Sequence, residues 1–166
     1  MLFRSKELTE VPSFDTIDTA VLFAKEKEVL RNLKKIFLMV AGKAAQTLQD
    51  KIEEEQEIMM NLAEIMIEIY AAESALLRSE KLLLTFGDAS SRMQATMSRI
   101  YLAQAVEKIN IAGKEAIAAF VSGDEQKVIL MGLKRFTKTD LINTKAMRRE
   151  IAAIVLAEEK YPFFIQ

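Results

Sequence analysis

The sequence predicts an all-α fold: an antiparallel, up-and-down helical bundle of three long helices plus one or two shorter ones. Three observations lead there. First, 149 residues separate Pro12 from Pro162 with no proline among them, and the chain holds only five Gly. Few elements other than long helices tolerate so little punctuation. Second, apolar residues recur every three to four positions over three stretches of about 30 residues, against a usual helix of about 11–12. Third, no segment sustains a period of two, so no strand is assigned. Breaks near 50 and 87 are short, which makes successive long helices antiparallel neighbours.

Residues 1–17 read as a polar lead-in with a turn at Val11-Pro12-Ser13, and 18–166 as a single helical-bundle domain. Asp15 or Asp18 suits the cap of a first helix over 19–49, where Leu22, Val29, Leu33, Ile36, Val40, Ala44 and Leu48 form one stripe widened by Phe37. Such a rod is about 45 Å long. Asp50 and Glu53, Glu54, Glu55 and Glu57 mark the next start, since carboxylates complement a helix N-terminus. The second helix, 52–86, carries two apolar stripes. Ile58, Leu62, Ile65, Ile69, Ala72, Leu76 and Leu83 form one; Met59, Met66, Tyr70 and Leu77 form the other. Two apolar faces imply contact with more than one partner helix. The packing residues expected to matter most are Leu62, Ile65, Ile69, Tyr70 and Leu76.

Gly87 suits a left-handed helix end and Asp88 the cap of a third helix, 89–121, with Leu102, Val106, Ile109, Ile117 and Phe120 on one side and Met93, Met97 and Tyr101 nearby. Ser122-Gly123-Asp124 breaks it. A short helix follows over 125–136 with Val128, Ile129, Leu133 and Phe136. The last covers 144–159, capped by Asn143 with Ile142 and Met147 at staple spacing, and stops at Tyr161-Pro162. An internal echo, Val40-Ala41-Gly42-Lys43 and Ile111-Ala112-Gly113-Lys114, places a glycine inside two helices at a cost of about 1 kcal/mol each. Either these glycines mark close helix crossings or they are chance residues in alanine-rich patches.

Composition narrows the chemistry. The chain has no His, Cys or Trp. Ser-His triads, Cys nucleophiles, zinc sites and disulfides therefore lack their side chains. No metal ligand set is assigned: Glu64, Glu68 and Glu73 fall on one helix, but a ferritin-like di-metal site also needs Glu-x-x-His. Glu64 and Glu68 are instead expected on a solvated face, and Glu73 in a pair with Lys or Arg. Gly42-Lys43 and Gly113-Lys114 lack the rest of a phosphate loop. The nine Met, at helical spacing beside Leu and Ile, are read as core filler rather than a binding groove.

The overall net charge is −1, which gives no pull toward nucleic acid. Locally the charge is uneven. Residues 25–43 carry +4, 50–57 carry −4 and 127–149 carry +6. Lys127, Lys134, Arg135, Lys138, Lys145, Arg148 and Arg149 are the candidates for contact with an anionic surface, the alternative being a solvated face that aids solubility. No signal peptide or apolar run of membrane-spanning length is evident, so an intracellular or cytoplasmic location, with contact at a membrane periphery, is expected.

The stretch from Glu55 to Arg78 resembles a helix of the C-terminal helical domain of acyl-CoA dehydrogenases. Gln56, Leu62-Ala63-Glu64, Ala71-Ala72, Leu76 and Arg78 carry that pattern. Together with Leu33–Lys43 and Met147–Ala152, it is most similar to the C-terminal helical extension of very-long-chain-type members. The likeness covers nearly the whole chain beyond the first dozen residues. It rests on patterns of small and apolar residues rather than a catalytic signature.

The resemblance implies a parent enzyme that uses FAD and a glutamate base in fatty acid β-oxidation. In this chain the aromatic-Glu-Gly-Thr stretch around that base, the strands of the flavin-contacting domain and a Gly-Gly-x-Gly turn are absent, so no catalytic or cofactor-binding residue is carried over. The implied role is non-catalytic: assembly, packing on the catalytic domains of the same or a partner dehydrogenase, homo-oligomer formation or peripheral membrane association. Two alternatives remain open: a domain that lines the acyl-CoA site of the full enzyme, and a free-standing dimerisation module with no link to fatty-acid oxidation.

Overall fold

The computed structural model describes residues 23–160 and 162, with the side chains of 88–90 left aside. The lead-in 1–17, the Asp15 and Asp18 caps, Leu22 and Tyr161 lie outside what it describes. Five α-helices follow one another: α1, Ala24–Leu48; α2, Gln56–Phe86; α3, Asp88–Phe120; α4, Gly123–Phe136; and α5, Thr144–Glu158. No strand occurs among the described residues. The all-α antiparallel bundle read from the sequence is the fold observed.

The junctions follow from local chemistry. The acidic run after Asp50 does not open α2 directly. It forms a 3₁₀ turn, Gln49–Glu54, so that α2 begins at Gln56, later than expected. Gly87 takes φ 79 and ψ 175, a conformation for which a Cβ is poorly suited, and its N–H bonds the Leu83 carbonyl at 3.0 Å. That residue serves both helices, ending α2 and preceding α3, so the cap falls one position before Asp88. Asn143 caps α5 as its sequence position suggested, with Oδ1 accepting from the Ala146 N–H at 3.1 Å.

α3 is the hub. It packs most extensively on α2, then on α1, α4 and α5, while α1 also meets α2 and α4. The fully buried side chains at the centre are Leu33, Ile36 and Val40 of α1, Ile65 and Leu76 of α2, Val106, Ile109 and Ile117 of α3, and Leu133 of α4. Each buried Leu or Ile contributes about 1.5–3 kcal/mol relative to an exposed one. α5 buries no residue, so it is the most loosely held helix.

One of the two stripes expected on α2 needs correction. Its first stripe is core: Ile58, Leu62, Ile65, Ile69, Ala72 and Leu76 are buried and Leu83 packs against them. Its second stripe is not. Met59, Met66, Tyr70 and Leu77 are exposed, Tyr70 at 73 %. One broad inner arc meets both α1 and α3, so the second apolar edge finds no partner within the chain. Val128 of α4 is likewise exposed.

The echoed glycines differ. A Cβ on Gly113 would stand 3.0 and 3.3 Å from the two Leu133 methyls, whereas one on Gly42 meets nothing within 4 Å. Only Gly113 marks a close crossing, of α3 with α4. Gly42→Ala is therefore expected to stabilise the fold by about 1 kcal/mol through helix propensity. Gly113→Ala should lose that gain to overpacking against buried Leu133, so that thermal melts of the two variants shift in opposite directions.

Candidate functional surfaces

The main charged group in the interior lies between α2 and α3. Glu68 is 6 % exposed, contrary to the solvated position expected for it. It sits on the flank of α2 that faces α3, where Tyr101 and Lys108, about two turns apart, both reach it. The Tyr101 hydroxyl donates to Glu68 Oε2 at 2.9 Å and Lys108 Nζ donates to Oε1. Burial raises the Tyr101 pKa, and its hydrogen bond to Glu68 and the charge there add to the rise, against an opposing effect from Lys108. The Lys108 pKa is also raised, chiefly by its hydrogen bond to Glu68 and by that carboxylate's charge.

Both groups are held protonated by the fold. Their contribution is present below the ordinary values of 10.0 and 10.5 and is lost as pH rises through the higher folded values. Melting temperature should therefore fall more steeply above about pH 10 in the parent than in Tyr101→Phe. The same variant should remove a component of phenolate absorbance lying above the ordinary Tyr value.

Further along the α2–α3 interface the polar groups are small. The Ser79 and Ser98 hydroxyls lie 2.7 Å apart, and the single Ser98 hydroxyl proton has the Ala75 and Gln94 carbonyls as acceptors at 3.0 and 3.1 Å from Oγ. These short side chains satisfy themselves on backbone and leave no reactive group exposed.

The basic face of α1 is consumed in clips to other parts of the fold. Lys27 pairs with Glu80 and Lys34 with Glu73 on α2, the latter at 2.6 Å as expected for Glu73. Lys43 pairs with Glu125 on α4, and Lys25 reaches Asp140 after α4 at 3.3 Å. Lys35 stands over the Phe136 ring at 5.6 Å. This face is therefore no free cationic surface.

The seven candidate basic residues divide between two elements. Lys127, Lys134 and Arg135 lie on α4 with Lys138 just beyond, while Lys145, Arg148 and Arg149 lie on α5, which packs on α3 rather than on α4. Lys127 pairs with Asp124 at 2.8 Å. Lys134, Lys138, Lys145, Arg148 and Arg149 are exposed and have no ion-pair partner among the described residues.

Two clefts occur beside this region. One, of about 260 Å³, has an apolar floor of Val29, Leu102 and Val106, rimmed by the Lys25–Asp140 and Arg99–Glu26 pairs. The other, of about 650 Å³, is a groove between α3 and α4 lined by Asn110, Lys114, Leu130 and Lys134. The flavin implied for a parent enzyme does not fit these residues. The first cleft falls below the usual range for a drug-sized ligand. In the second, Gly113, beside the lining residue Lys114, faces Leu133 and offers no bare backbone to a pyrophosphate. No group of three or more acidic residues that could hold a metal occurs among the described residues, and no described helix is long and apolar enough to cross a membrane.

The model of the family described as "Acyl-CoA dehydrogenase, C-terminal domain" matches residues 32–135, from the middle of α1 to the end of α4. The chain belongs to this family. It is 35 % identical over 137 residues to a "Probable acyl-CoA dehydrogenase" of Bacillus subtilis (strain 168), covering 82 % of this chain and 23 % of that protein. Among solved structures it is similar to an acyl-CoA dehydrogenase complexed with FAD from Bacillus anthracis. There the TM-score is 0.81 at 35 % identity, covering 86 % of this chain and 24 % of the other. The domain thus spans about a quarter of the length of these relatives.

Proposed function

We propose that this domain is a non-catalytic helical part of an FAD-dependent acyl-CoA dehydrogenase-like protein acting in fatty acid β-oxidation. In that reading it serves assembly by packing on the catalytic domains of the same or a partner enzyme. The observation that carries it is the similarity, at TM-score 0.81, to one quarter of a chain that binds FAD. Its own interior supports the non-catalytic part. The buried carboxylate of Glu68 is spoken for by Tyr101 and Lys108, and neither cleft suits a flavin.

The test is reconstitution. The corresponding quarter is removed from the Bacillus anthracis relative, and this chain is added to the remainder. The expected result is a flavin-loaded remainder that turns over acyl-CoA, assembles poorly alone and recovers assembly with the added chain. Restored turnover without any change in assembly would instead favour a domain that lines the acyl-CoA site.

A second duty, contact with an anionic membrane surface, is favoured by Lys134, Lys138, Lys145, Arg148 and Arg149, which have no ion-pair partner among the described residues. Attraction of about 1 kcal/mol per basic residue near an anionic bilayer suffices when several face the same way. Sedimentation with phosphatidylserine vesicles should show binding that falls with salt and with Lys134→Glu plus Lys138→Glu. Binding indifferent to salt and lipid charge would reject it.

A further inference from the structure

α2 and α3 pair through two strict heptad seams. On α2, Ile58, Leu62, Ile65, Ile69, Ala72 and Leu76 alternate steps of four and three residues, and all are buried. On α3, Ala95, Ser98, Leu102, Ala105, Ile109 and Ala112 alternate steps of three and four and are buried too. This is the pattern of an antiparallel coiled coil closed within one chain. Two backbone contacts give its alignment: Ser98 Oγ lies 3.0 Å from the Ala75 carbonyl, and Ser79 Oγ 3.1 Å from that of Gln94. Leu76 is then level with Ser98, Ala72 with Leu102, Ile69 with Ala105 and Leu62 with Ala112, large against small in each layer.

A heptad seam repeats itself, so apolar packing alone does not choose among alignments seven residues apart. When α3 slides by one heptad, about 10 Å, Leu76 comes level with Ala105, Ala72 with Ile109 and Ile69 with Ala112. Each of these layers still sets a large side chain against a small one. The clips from α1, Lys27–Glu80 and Lys34–Glu73, are themselves one heptad apart on both helices, so a shift of α2 keeps one of the two. The break at Gly87 resists the slide at one end, because the turn must move by half a heptad and take Gly87 into a helix. Glu68 stands about 28 Å along α2 from that end.

Charge tells the alignments apart. Glu68 is buried and takes the Tyr101 hydroxyl and Lys108 Nζ, which stand one heptad apart on α3. After the slide, Lys108 takes the place of Tyr101 and Glu115 the place of Lys108, so that a nearly buried carboxylate faces a second one. Ala105 takes the place of Ser98, which ends the bond to Ser79. A slide the other way brings Gln94 and Tyr101 to Glu68 and leaves it without a cation. We propose that Glu68, Tyr101 and Lys108 form a register lock, holding the α2–α3 coiled coil in its observed alignment and excluding the one a heptad along. A single polar layer fixes register in this way in other coiled coils, at a cost in stability. The lock lies wholly between two helices of this chain, so it acts whether or not another domain covers their outer faces, and it is independent of the enzymatic reading above.

The chain has no cysteine, so a pair of spin labels can be placed on introduced ones. Lys81→Cys on α2 and Glu107→Cys on α3 are both at exposed positions, about 20 Å apart along the helix axis. Pulsed EPR of the full chain should give one distance between them. Glu68→Leu should add a second distance, shorter by up to about 10 Å, in about one molecule in ten or more. Tyr101→Ala, Lys108→Tyr and Glu115→Lys together move the two donors one heptad along α3 and should make the shorter distance the main one. Circular dichroism checks that each variant keeps its helices. The proposal is overturned by a single unchanged distance in Glu68→Leu, or by a triple variant that keeps the original distance or unfolds. An unfolded Glu68→Leu overturns it as well, since both alignments pack without the charge.

Discussion

Ile65→Ala is expected to destabilise the domain by about 2–5 kcal/mol, the range for a fully buried Ile truncated to Ala in a core that collapses only partly around the cavity. Ile65 is 0 % exposed at the middle of α2, within the cluster that also holds Ile36, Val40 and Ile109. For a chain of this length that loss lowers the melting temperature by roughly 4–20 °C. The informative control lies five residues along the same helix. Tyr70 is the larger side chain, yet it stands 73 % exposed, so Tyr70→Ala should change monomer stability by less than about 0.5 kcal/mol. Both are measured by denaturant unfolding at one protein concentration, since any self-association would add a stabilisation of its own. Equal losses at the two positions would place the wrong edge of α2 in the core.

The contrast between Ile65 and Tyr70 shows what periodicity can carry. Apolar spacing identified α2 as a helix and found the stripe from Ile58 to Leu76, because any buried face must repeat every 3.6 residues. It did not tell that stripe from Met59, Met66, Tyr70 and Leu77. Both repeat equally well, and only the positions of α1 and α3 decide which edge is covered. The same limit explains the glycines. Gly42 and Gly113 stand in nearly identical local sequence, yet Gly113 is crowded by Leu133, twenty residues later and on another helix.

Charge was legible as local density and not as pairing. The +4 of residues 25–43 reads as a basic face, but its partners Glu73, Glu80, Glu125 and Asp140 come from three other parts of the chain. Of the seven basic candidates between Lys127 and Arg149, the sequence showed their density but not their division between α4 and α5. Of the residues that carry the family resemblance, Leu62, Ala72 and Leu76 are buried, where helix packing constrains them directly, whereas Gln56, Glu64 and Arg78 are exposed.

Glu68 was the least legible residue, and its replacement should be costly in a way that separates charge from packing. Glu68→Ala is expected to lose about 1–3 kcal/mol, because two donors from α3 are left without their acceptor and the side-chain volume is emptied. Glu68→Leu should recover part of that loss, since an apolar side chain of similar reach fills the space and needs no partner. Lys108→Met should be more damaging than Glu68→Leu for the complementary reason: the carboxylate stays almost buried while its cation is gone, and the Tyr101 hydroxyl alone is left to bond it. Unfolding curves of the three variants at neutral pH test this ordering. A Lys108→Met deficit no larger than that of Glu68→Leu would mean that the Glu68 charge is solvated by water rather than by its two α3 partners.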